Sequence, residues 1–317
     1  MVKQEFTVLS RDGKTELHAV EWLPQGRSRA VLQIAHGVSE YVLRYEELAA
    51  YLTERGFAVV GNDHLGHGTS VASGAPRVYF GPAGSWDTVV DDLYALRCLA
   101  RQKFPGLPYF LLGHSMGSFL VRTYLIRYPG TVDGAILMGT GQMPRVLTAA
   151  GRAIAAVECR KIGETRPSPL VHKLAFGAYN KAFAPNRTEF DWVSSDETTV
   201  NFYKEDPHCG ENPSVGLFRE MLGGIEFITN RANLKKMNLS TPVLFVSGEE
   251  DPVGERGRGA RRAYLSFKRA GVRDTELRLY PCARHEILND VCRREVCRDL
   301  ADWLLARIPA GPDSRWE

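Results

Sequence analysis

Short runs of apolar residues recur along the chain, with segments of helical periodicity between them. Five of these runs, of which four are continuous and one contains a single polar residue, Gln33, are typical of strands in a parallel sheet that is covered on both faces. They lie at 31–35, 57–60, 109–112, 135–138 and 243–246. Between them, apolar residues three or four positions apart predict amphipathic helices. These helical segments lie around 45–52, 89–100 and 296–304. The alternation predicts an α/β fold with a doubly wound sheet.

The pattern differs at the start of the chain and in its middle. Segments 6–8 and 17–22 alternate apolar and polar residues with no helix between them, which predicts an antiparallel hairpin at the start of the sheet. From 141 to 241 the strand-helix alternation stops, and helical pieces are joined by proline-rich segments. This stretch is too long for a plain loop, so we expect a helical cap (141–241) inserted into a core formed by 1–140 and 242–317. It begins at the end of the sheet where α/β folds bind ligands.

The composition is that of an ordinary globular protein, with 317 residues of which 44% are hydrophobic and 24% charged. The 40 Lys and Arg against 37 Asp and Glu give a formal net charge of +3, which predicts no nucleic-acid partner. The most basic stretch, 256–273, is expected to be the solvated face of one helix. No apolar run has the length of a transmembrane helix, and the first residues lack a signal-peptide pattern. The 6 scattered cysteines are expected to be reduced thiols, and the compartment that we expect is the cytoplasm.

Residues 113–117 read Gly-His-Ser-Met-Gly and match the pattern G-x-S-x-G. The motif directly follows one predicted strand and precedes a helical segment. A tight turn of this kind holds the serine in a strained conformation with its hydroxyl exposed, and the flanking glycines avoid collisions with the backbone. The N-terminus of the helix also helps to stabilise developing negative charge. The context therefore predicts that Ser115 is a nucleophile, rather than part of an ordinary glycine-rich turn.

A serine hydroxyl is a poor nucleophile until a base removes its proton, and in this architecture the expected chain order is serine, acid, histidine. Three histidines follow Ser115. His172 and His208 fall in the insertion, whereas His285 follows a predicted strand and precedes the last helix. We therefore expect His285 to be the base.

The acid is expected after the strand at 243–246, where three carboxylates compete: Glu249, Glu250 and Asp251. We prefer Asp251, because Pro252 ends the turn behind it and a short side chain suits a fixed hydrogen bond to the imidazole. Its role would be to orient the histidine and stabilise its protonated form.

An oxyanion hole needs two backbone N–H donors. Met116, directly after the serine, supplies one, and Val38, in a turn after the first buried strand, is the second candidate. His36 comes before the serine beside a glycine turn, so we expect it to have a structural role. His64 and His67 resemble a metal-binding pair, but no further ligands accompany them; we expect them to pack beneath the site and predict no metal.

Several segments resemble motifs of the α/β-hydrolase superfamily, and more narrowly of its monoacylglycerol lipase and lysophospholipase-like, or serine aminopeptidase-like, branch. These segments are 36–40 with Arg44 and Tyr45, 62–68, 113–117, 247–253 and 285–286. Within the insertion, 190–194 and 206–210 are similar to cap segments of bacterial members. The resemblance spans nearly the whole chain. It implies the α/β-hydrolase fold, a mostly parallel, doubly wound eight-stranded sheet with a helical cap, and the hydrolysis of esters with one acyl chain without a cofactor.

The expected reaction is a two-step acyl transfer in which Ser115 attacks an ester carbonyl and His285 moves the proton. Apolar cap residues are expected to line a tunnel for the acyl chain of a small-molecule ester substrate. These are residues 146–147, 153–157, 170–171 and 174–176. The cap is also a candidate for transient contact with a membrane surface.

Three other functions fit the same residues. A peptidase or amidase would use the same triad, with Glu158, Glu164 or Asp191 available to hold a substrate amine. A carbon–carbon bond hydrolase is the second alternative. The third, a non-catalytic ligand-binding protein, is disfavoured because it has no need of serine, aspartate and histidine in this order.

Overall fold

Eight strands in residues 1–309, the part of the chain that the computed structural model describes, form one sheet. They are β1 (Val2–Leu9), β2 (Glu16–Leu23), β3 (Ala30–Ala35), β4 (Phe57–Asn62), β5 (Tyr109–His114), β6 (Gly134–Met138), β7 (Val243–Gly248) and β8 (Thr275–Tyr280). Their spatial order is β1-β2-β4-β3-β5-β6-β7-β8. Strand β2 pairs antiparallel with β1 and β4, and every other pairing is parallel. The predicted mostly parallel sheet, with a hairpin at its start, is thereby confirmed.

Ten α-helices lie in the same part of the chain. They are α1 (Glu46–Thr53), α2 (Ser85–Lys103), α3 (Met116–Arg127), α4 (Arg145–Ile162), α5 (Pro169–Ala175), α6 (Glu197–Glu205), α7 (Val215–Thr229), α8 (Arg231–Leu234), α9 (Arg258–Ala270) and α10 (Arg293–Leu305). Short 3-10 helices occupy Val42–Tyr45, Tyr179–Phe183 and Ile287–Asn289. None of the helices within 1–309 combines the length and the apolar character that crossing a bilayer requires.

Helices cover both faces of the central strands, which explains why those strands are apolar without alternation. Every residue of β3, β4, β5, β6 and β7 is buried. Neighbouring residues of one strand face opposite sides, so that Leu111 packs with α2, α3 and α9 while Phe110 packs with α1 and α10. Each large apolar side chain buried in this way contributes about 1.5–3 kcal/mol.

Between β6 and β7 the chain forms no strand, and helices α4 to α8 lie there. Helix α7 packs against α4, but it also packs against α2 and α3 beside the sheet. Gly224 allows this close approach, because a Cβ atom there would lie 2.2 Å from the Trp86 ring of α2. The division into a core (1–140 and 242–317) and a cap (141–241) stays a prediction, and residues 310–317 of that core lie outside the described residues.

Candidate active site

Ser115 occupies the sharp turn between β5 and α3. Its φ of 51° and ψ of −119° are strained for a residue with a side chain, at a typical cost of about 1–3 kcal/mol. Its backbone N–H donates to the Met138 carbonyl at 2.9 Å, which ties the turn to β6. Two glycines make the turn possible, because a Cβ atom at Gly117 would lie 2.0 Å from the Ala35 carbonyl oxygen and one at Gly113 would lie 2.4 Å from the Gly117 oxygen. The turn presents the serine at the carboxyl edge of the sheet.

His285 and Asp251 meet at the same edge, from the loops after β8 and β7. His285 Nδ1 lies 3.0 Å from Asp251 Oδ1, and both side chains are buried. The two other carboxylates considered from the sequence point elsewhere: Glu249 is exposed, and Glu250 lies 4.0 Å from Arg284. Among these three acids, the fold therefore pairs Asp251 with the imidazole.

Other contacts hold this pair in place. The Val253 N–H donates to Asp251 Oδ1 at 2.9 Å, and the Ser247 hydroxyl lies 3.3 Å from Oδ2. At the end of β7 the backbone passes so close to the histidine loop that a Cβ atom at Gly248 would lie 2.1 Å from the Ala283 carbonyl oxygen. Only glycine fits between the loop of the acid and the loop of the base.

Val38 and Met116 line the same cavity as Ser115 and His285. The turn that carries Val38 abuts the serine, since a Cβ atom at Gly37 would lie 3.1 Å from the Ser115 Cβ. Within residues 1–309, neither the Val38 nor the Met116 backbone N–H donates to a protein acceptor. Both donors remain available to an oxygen atom bound beside the serine.

The cavity has a volume of about 460 Å³ and is lined mainly by apolar side chains. The predicted tunnel segments contribute Leu147, Ile154, Val171, Leu174, Ala175 and Phe176 to its wall. Val146, Val157 and Leu170 do not line it and are 79%, 46% and 49% exposed. Ala153, Ala155 and Ala156 do not line it either, and Ala155 is buried in a cluster with Val171 and Phe218. The expectation that these six residues line a tunnel is wrong. Adjacent residues of a helix point about 100° apart, and only one face of α4 turns inward.

The sequence did not predict most of the residues that form the opposite wall of the cavity. It includes Phe218, Met221, Leu222 and Ile225 from α7, with Tyr179, Trp192 and Tyr203 nearer the triad. The apolar spacing of α7 signals a buried helix, but no sequence pattern distinguishes a residue that lines a cavity from one that fills a core.

A buried network of charged side chains lies beneath the oxyanion turn. Glu40 Oε1 accepts hydrogen bonds from the Gly37 N–H at 2.5 Å and the Tyr45 hydroxyl at 3.0 Å, and lies 2.8 Å from His114 Nδ1. Its second oxygen accepts from Arg44 at 3.1 Å. Arg44 also forms two hydrogen bonds of 2.6 Å with Glu286. The network connects the turn of Val38, the residue before the nucleophile and the residue after His285.

The network favours the charged forms of its members. Burial alone would raise the pKa of Glu40, but the His114 imidazole and the Arg44 guanidinium outweigh it and hold that pKa well below its usual range. Burial likewise opposes the charging of His114, but the Glu40 carboxylate prevails and raises the pKa of His114. Both His114 nitrogens face acceptors, Glu40 and the His285 carbonyl at 3.4 Å, which suits an imidazolium. From the sequence, these residues were noted only because they belong to the motifs that resemble the family; their buried charge network was not predicted.

His36, His64 and His67, the histidine cluster, are buried next to one another behind the site. The ring centroid of His36 lies 4.1 Å from that of His64 and 5.4 Å from that of His67. His36 Nδ1 lies 2.7 Å from the Gly37 carbonyl oxygen and its Nε2 accepts from the His64 backbone N–H at 2.9 Å, so neither nitrogen is left for Ser115. Burial lowers the pKa of all three, that of His67 to about 3. In 1–309, no three or more His, Cys, Asp or Glu side chains are arranged to hold a metal ion.

The acids considered for binding a substrate amine do not line the cavity. None of Glu158, Glu164 and Asp191 is among the residues of the cavity wall. Each of them accepts hydrogen bonds from neighbouring side chains. The donors are Ser168 to Glu158, Tyr79 and Arg219 to Glu164, and Thr188 to Asp191. The carboxylates that do line the cavity are Glu40 and Glu286, and both are paired with Arg44.

Comparisons with known proteins agree with this architecture. A family model described as "Serine aminopeptidase, S33" matches residues 26–291. A monoacylglycerol lipase of Mycolicibacterium smegmatis is 31% identical over 90% of this chain and 92% of its own length. The human monoglyceride lipase is 26% identical over 83% of this chain and 78% of its own length. Among solved structures, a thermostable carboxyl esterase from Bacillus coagulans in complex with glycerol superimposes with a TM-score of 0.89 at 28% identity, covering 97% of this chain and 99% of that one.

Proposed function

We propose that this chain, which belongs to the serine aminopeptidase S33 family of α/β-hydrolases, hydrolyses carboxylic esters of lipids with a single acyl chain. The observation that carries this proposal is the apolar cavity of about 460 Å³ with Ser115 and His285 in its wall. Its size lies in the usual range for small-molecule sites, and its wall offers an acyl chain apolar contacts. The names of the similar proteins, monoacylglycerol lipase and carboxyl esterase, support the same substrate class.

In the first step, Ser115 Oγ attacks the ester carbonyl carbon while His285 takes the hydroxyl proton. Asp251, bound to His285 Nδ1, orients the imidazole and stabilises the imidazolium. The negative charge on the carbonyl oxygen is bound by the backbone N–H groups of Val38 and Met116. One such donor is typically worth about 2.7–4 kcal/mol of the barrier.

The first step ends when the tetrahedral intermediate collapses, and His285 gives its proton to the departing alcohol as the acyl–Ser115 ester forms. In the second step, water attacks the acyl carbon while His285 accepts one of its protons. Release of the fatty acid returns the proton to Ser115 Oγ. No cofactor takes part in either step.

The acids at the cavity favour an ester substrate over an aminopeptidase substrate. A substrate ammonium group needs a carboxylate free to pair with it, but the carboxylates lining the cavity, Glu40 and Glu286, are already paired with Arg44. Breaking a buried ion pair to bind the amine would cost several kcal/mol. An acyl chain requires no such exchange.

The exposed apolar side chains of the cap supply a route for the substrate. Val146, Leu147 and Leu174 are 79%, 60% and 63% exposed, and two of them also line the cavity. Transient contact of these side chains with a membrane surface would deliver a lipid directly to the cavity. The cytoplasm is the compartment we propose, and we propose no nucleic-acid partner.

The test compares product release from four substrates: a monoacylglycerol, a lysophospholipid, a short-chain aryl ester and an aminoacyl arylamide. We expect turnover of the lipid esters and the aryl ester, and none by Ser115→Ala. Covalent labelling of Ser115 by a fluorophosphonate separates an enzyme from a binding protein. Turnover of the arylamide alone would favour an aminopeptidase, and no turnover of any substrate would overturn the ester hydrolase.

A further inference from the structure

The outer face of α9 carries a high density of positive charge. The helix contains no acidic residue, and its apolar side, which includes Ala263 and Phe267, packs against the sheet. Its exposed cations, with those of the flanking turns, are Arg256, Arg258, Arg261, Lys268, Arg269 and Arg273. Within 1–309, none of these six has a carboxylate oxygen within 4.0 Å, whereas Arg262 pairs with Glu255. The face is the solvated helix surface expected from the sequence, and no ion pair within the described residues reduces its positive charge.

The first turn of α9 lies next to the mouth of the substrate cavity. Arg262 Nε donates to the Gln142 carbonyl at 2.8 Å, and a Cβ atom at Gly259 would lie 3.3 Å from the Gln142 backbone nitrogen. Gln142 directly precedes Met143, which lines the cavity and is 39% exposed. Val253, in the loop between β7 and α9, also lines the cavity. The residues that lead into α9, which include Arg256 and Arg258, and the beginning of α4 therefore border the same opening.

At this opening, cations and apolar side chains are interleaved. Helix α4 begins with the exposed Arg145, followed by the exposed Val146 and Leu147. Arg145, like Arg256 and Arg258, has no carboxylate within 4.0 Å in the described part of the chain. With the whole chain at only +3, this concentration is a local feature of the opening and not a consequence of overall charge.

We propose that the opening docks on an anionic lipid bilayer, with Arg145, Arg256 and Arg258 bound to headgroups and Met143, Val146 and Leu147 inserted between them. The inference rests on the proposed lipid substrate and adds the charge of the membrane that supplies it. An anionic bilayer complements both parts of the surface, whereas a nucleic acid or an acidic protein would match only its charge. Each cation close to an anionic bilayer strengthens binding by a factor of about 5.

The experiment measures flotation of the full chain with vesicles of phosphatidylcholine, alone or with about a third phosphatidylglycerol. We expect wild-type protein to bind the anionic vesicles more tightly, and higher salt to weaken that binding because it screens exposed charges. The variant Arg145→Glu/Arg256→Glu/Arg258→Glu should lose at least about 100-fold in affinity for them, because it removes three factors of about 5 and adds the repulsion of three carboxylates. A second variant, Val146→Ser, changes an exposed side chain that does not line the cavity and should weaken binding to both kinds of vesicle.

The matched control, Lys14→Glu/Arg27→Glu/Arg294→Glu, makes the same change in net charge at exposed cations distant in sequence from this opening. We expect it to bind within about threefold of wild type. All variants should hydrolyse a soluble aryl ester at the wild-type rate, which shows that they are folded.

The proposal is overturned if the control loses as much affinity as the opening variant, or if phosphatidylglycerol does not strengthen binding. It is also overturned if the opening variant binds the anionic vesicles as wild type does. Preferential binding of an acidic protein or an RNA fragment, with vesicles ignored, would assign the surface to that partner instead. Vesicle binding without any ester hydrolysis would support the docking surface but overturn the proposed function.

Discussion

Replacement of Glu40 tests whether the buried charge network positions the oxyanion turn. In Glu40→Gln, an amide oxygen in the place of Oε1 can still accept from Gly37, Tyr45 and His114, but the NH₂ group then faces the Arg44 guanidinium. One charge-assisted hydrogen bond, worth about 1.5–3 kcal/mol, is lost, and the His114 imidazolium loses its counter-charge. We expect the free energy of unfolding to fall by about 2–4 kcal/mol.

Glu40→Ala should cost more, because it leaves every donor around the carboxylate without an acceptor; we expect about 3–5 kcal/mol. The Gly37 N–H anchors the turn that presents the Val38 N–H, so Glu40→Ala, which removes its acceptor, should misplace that oxyanion donor, whereas Glu40→Gln keeps the anchor and should change kcat much less. A misplaced donor costs up to about 10²–10³ in kcat, and KM should change little because the donor acts in the transition state.

The assay combines urea unfolding with steady-state kinetics on a soluble aryl ester. Glu226→Gln is the matched control, because this partly exposed carboxylate on α7 pairs, among residues 1–309, only with the exposed Arg152, and the change should cost less than about 1 kcal/mol. If Glu40→Gln and Glu40→Ala unfold and turn over like wild type, the network does not position the site. A loss of stability with an unchanged kcat in Glu40→Ala would show that the role of the network is structural alone.

Three further predictions concern pH, packing and the triad. His67 has a pKa of about 3 when folded, so between pH 6.5 and 3 this histidine binds more protons in the unfolded chain, and the lowered pKa values of His36 and His64 act in the same direction. Urea unfolding should therefore show that the free energy of unfolding falls as the pH drops, by up to about 1.4 kcal/mol per pH unit from His67; a free energy of unfolding that does not change with pH would contradict this. Gly248→Ala would put a Cβ atom 2.1 Å from the Ala283 carbonyl and should lower kcat at least about tenfold, whereas Gly26→Ala, with nothing within 4 Å, should be neutral. Asp251→Asn should lower kcat by about 10⁴-fold on the soluble ester, and a loss below tenfold would remove Asp251 from the triad.

Local sequence was sufficient for the sheet and for the candidates at its edge. Continuous apolar runs identify the parallel strands because a strand covered on both faces has no polar side. The glycines around Ser115 are required by atoms only a few residues away or on the adjacent strand, so the turn is recognisable from its motif. Chain order then singled out His285, because loops after parallel strands meet at one edge of the sheet.

Only the tertiary structure decided which side chains meet across the chain. The sequence favoured Asp251 over the two neighbouring glutamates, but its contact with His285 depends on how two loops pack. Arg44 pairs with Glu286, 242 positions away in the sequence, and no periodicity encodes that contact. The inward face of α4 and the contribution of α7 to the cavity are likewise set by helix packing. Periodicity is a property of neighbours in sequence, whereas a site is built from neighbours in space, and packing alone relates the two.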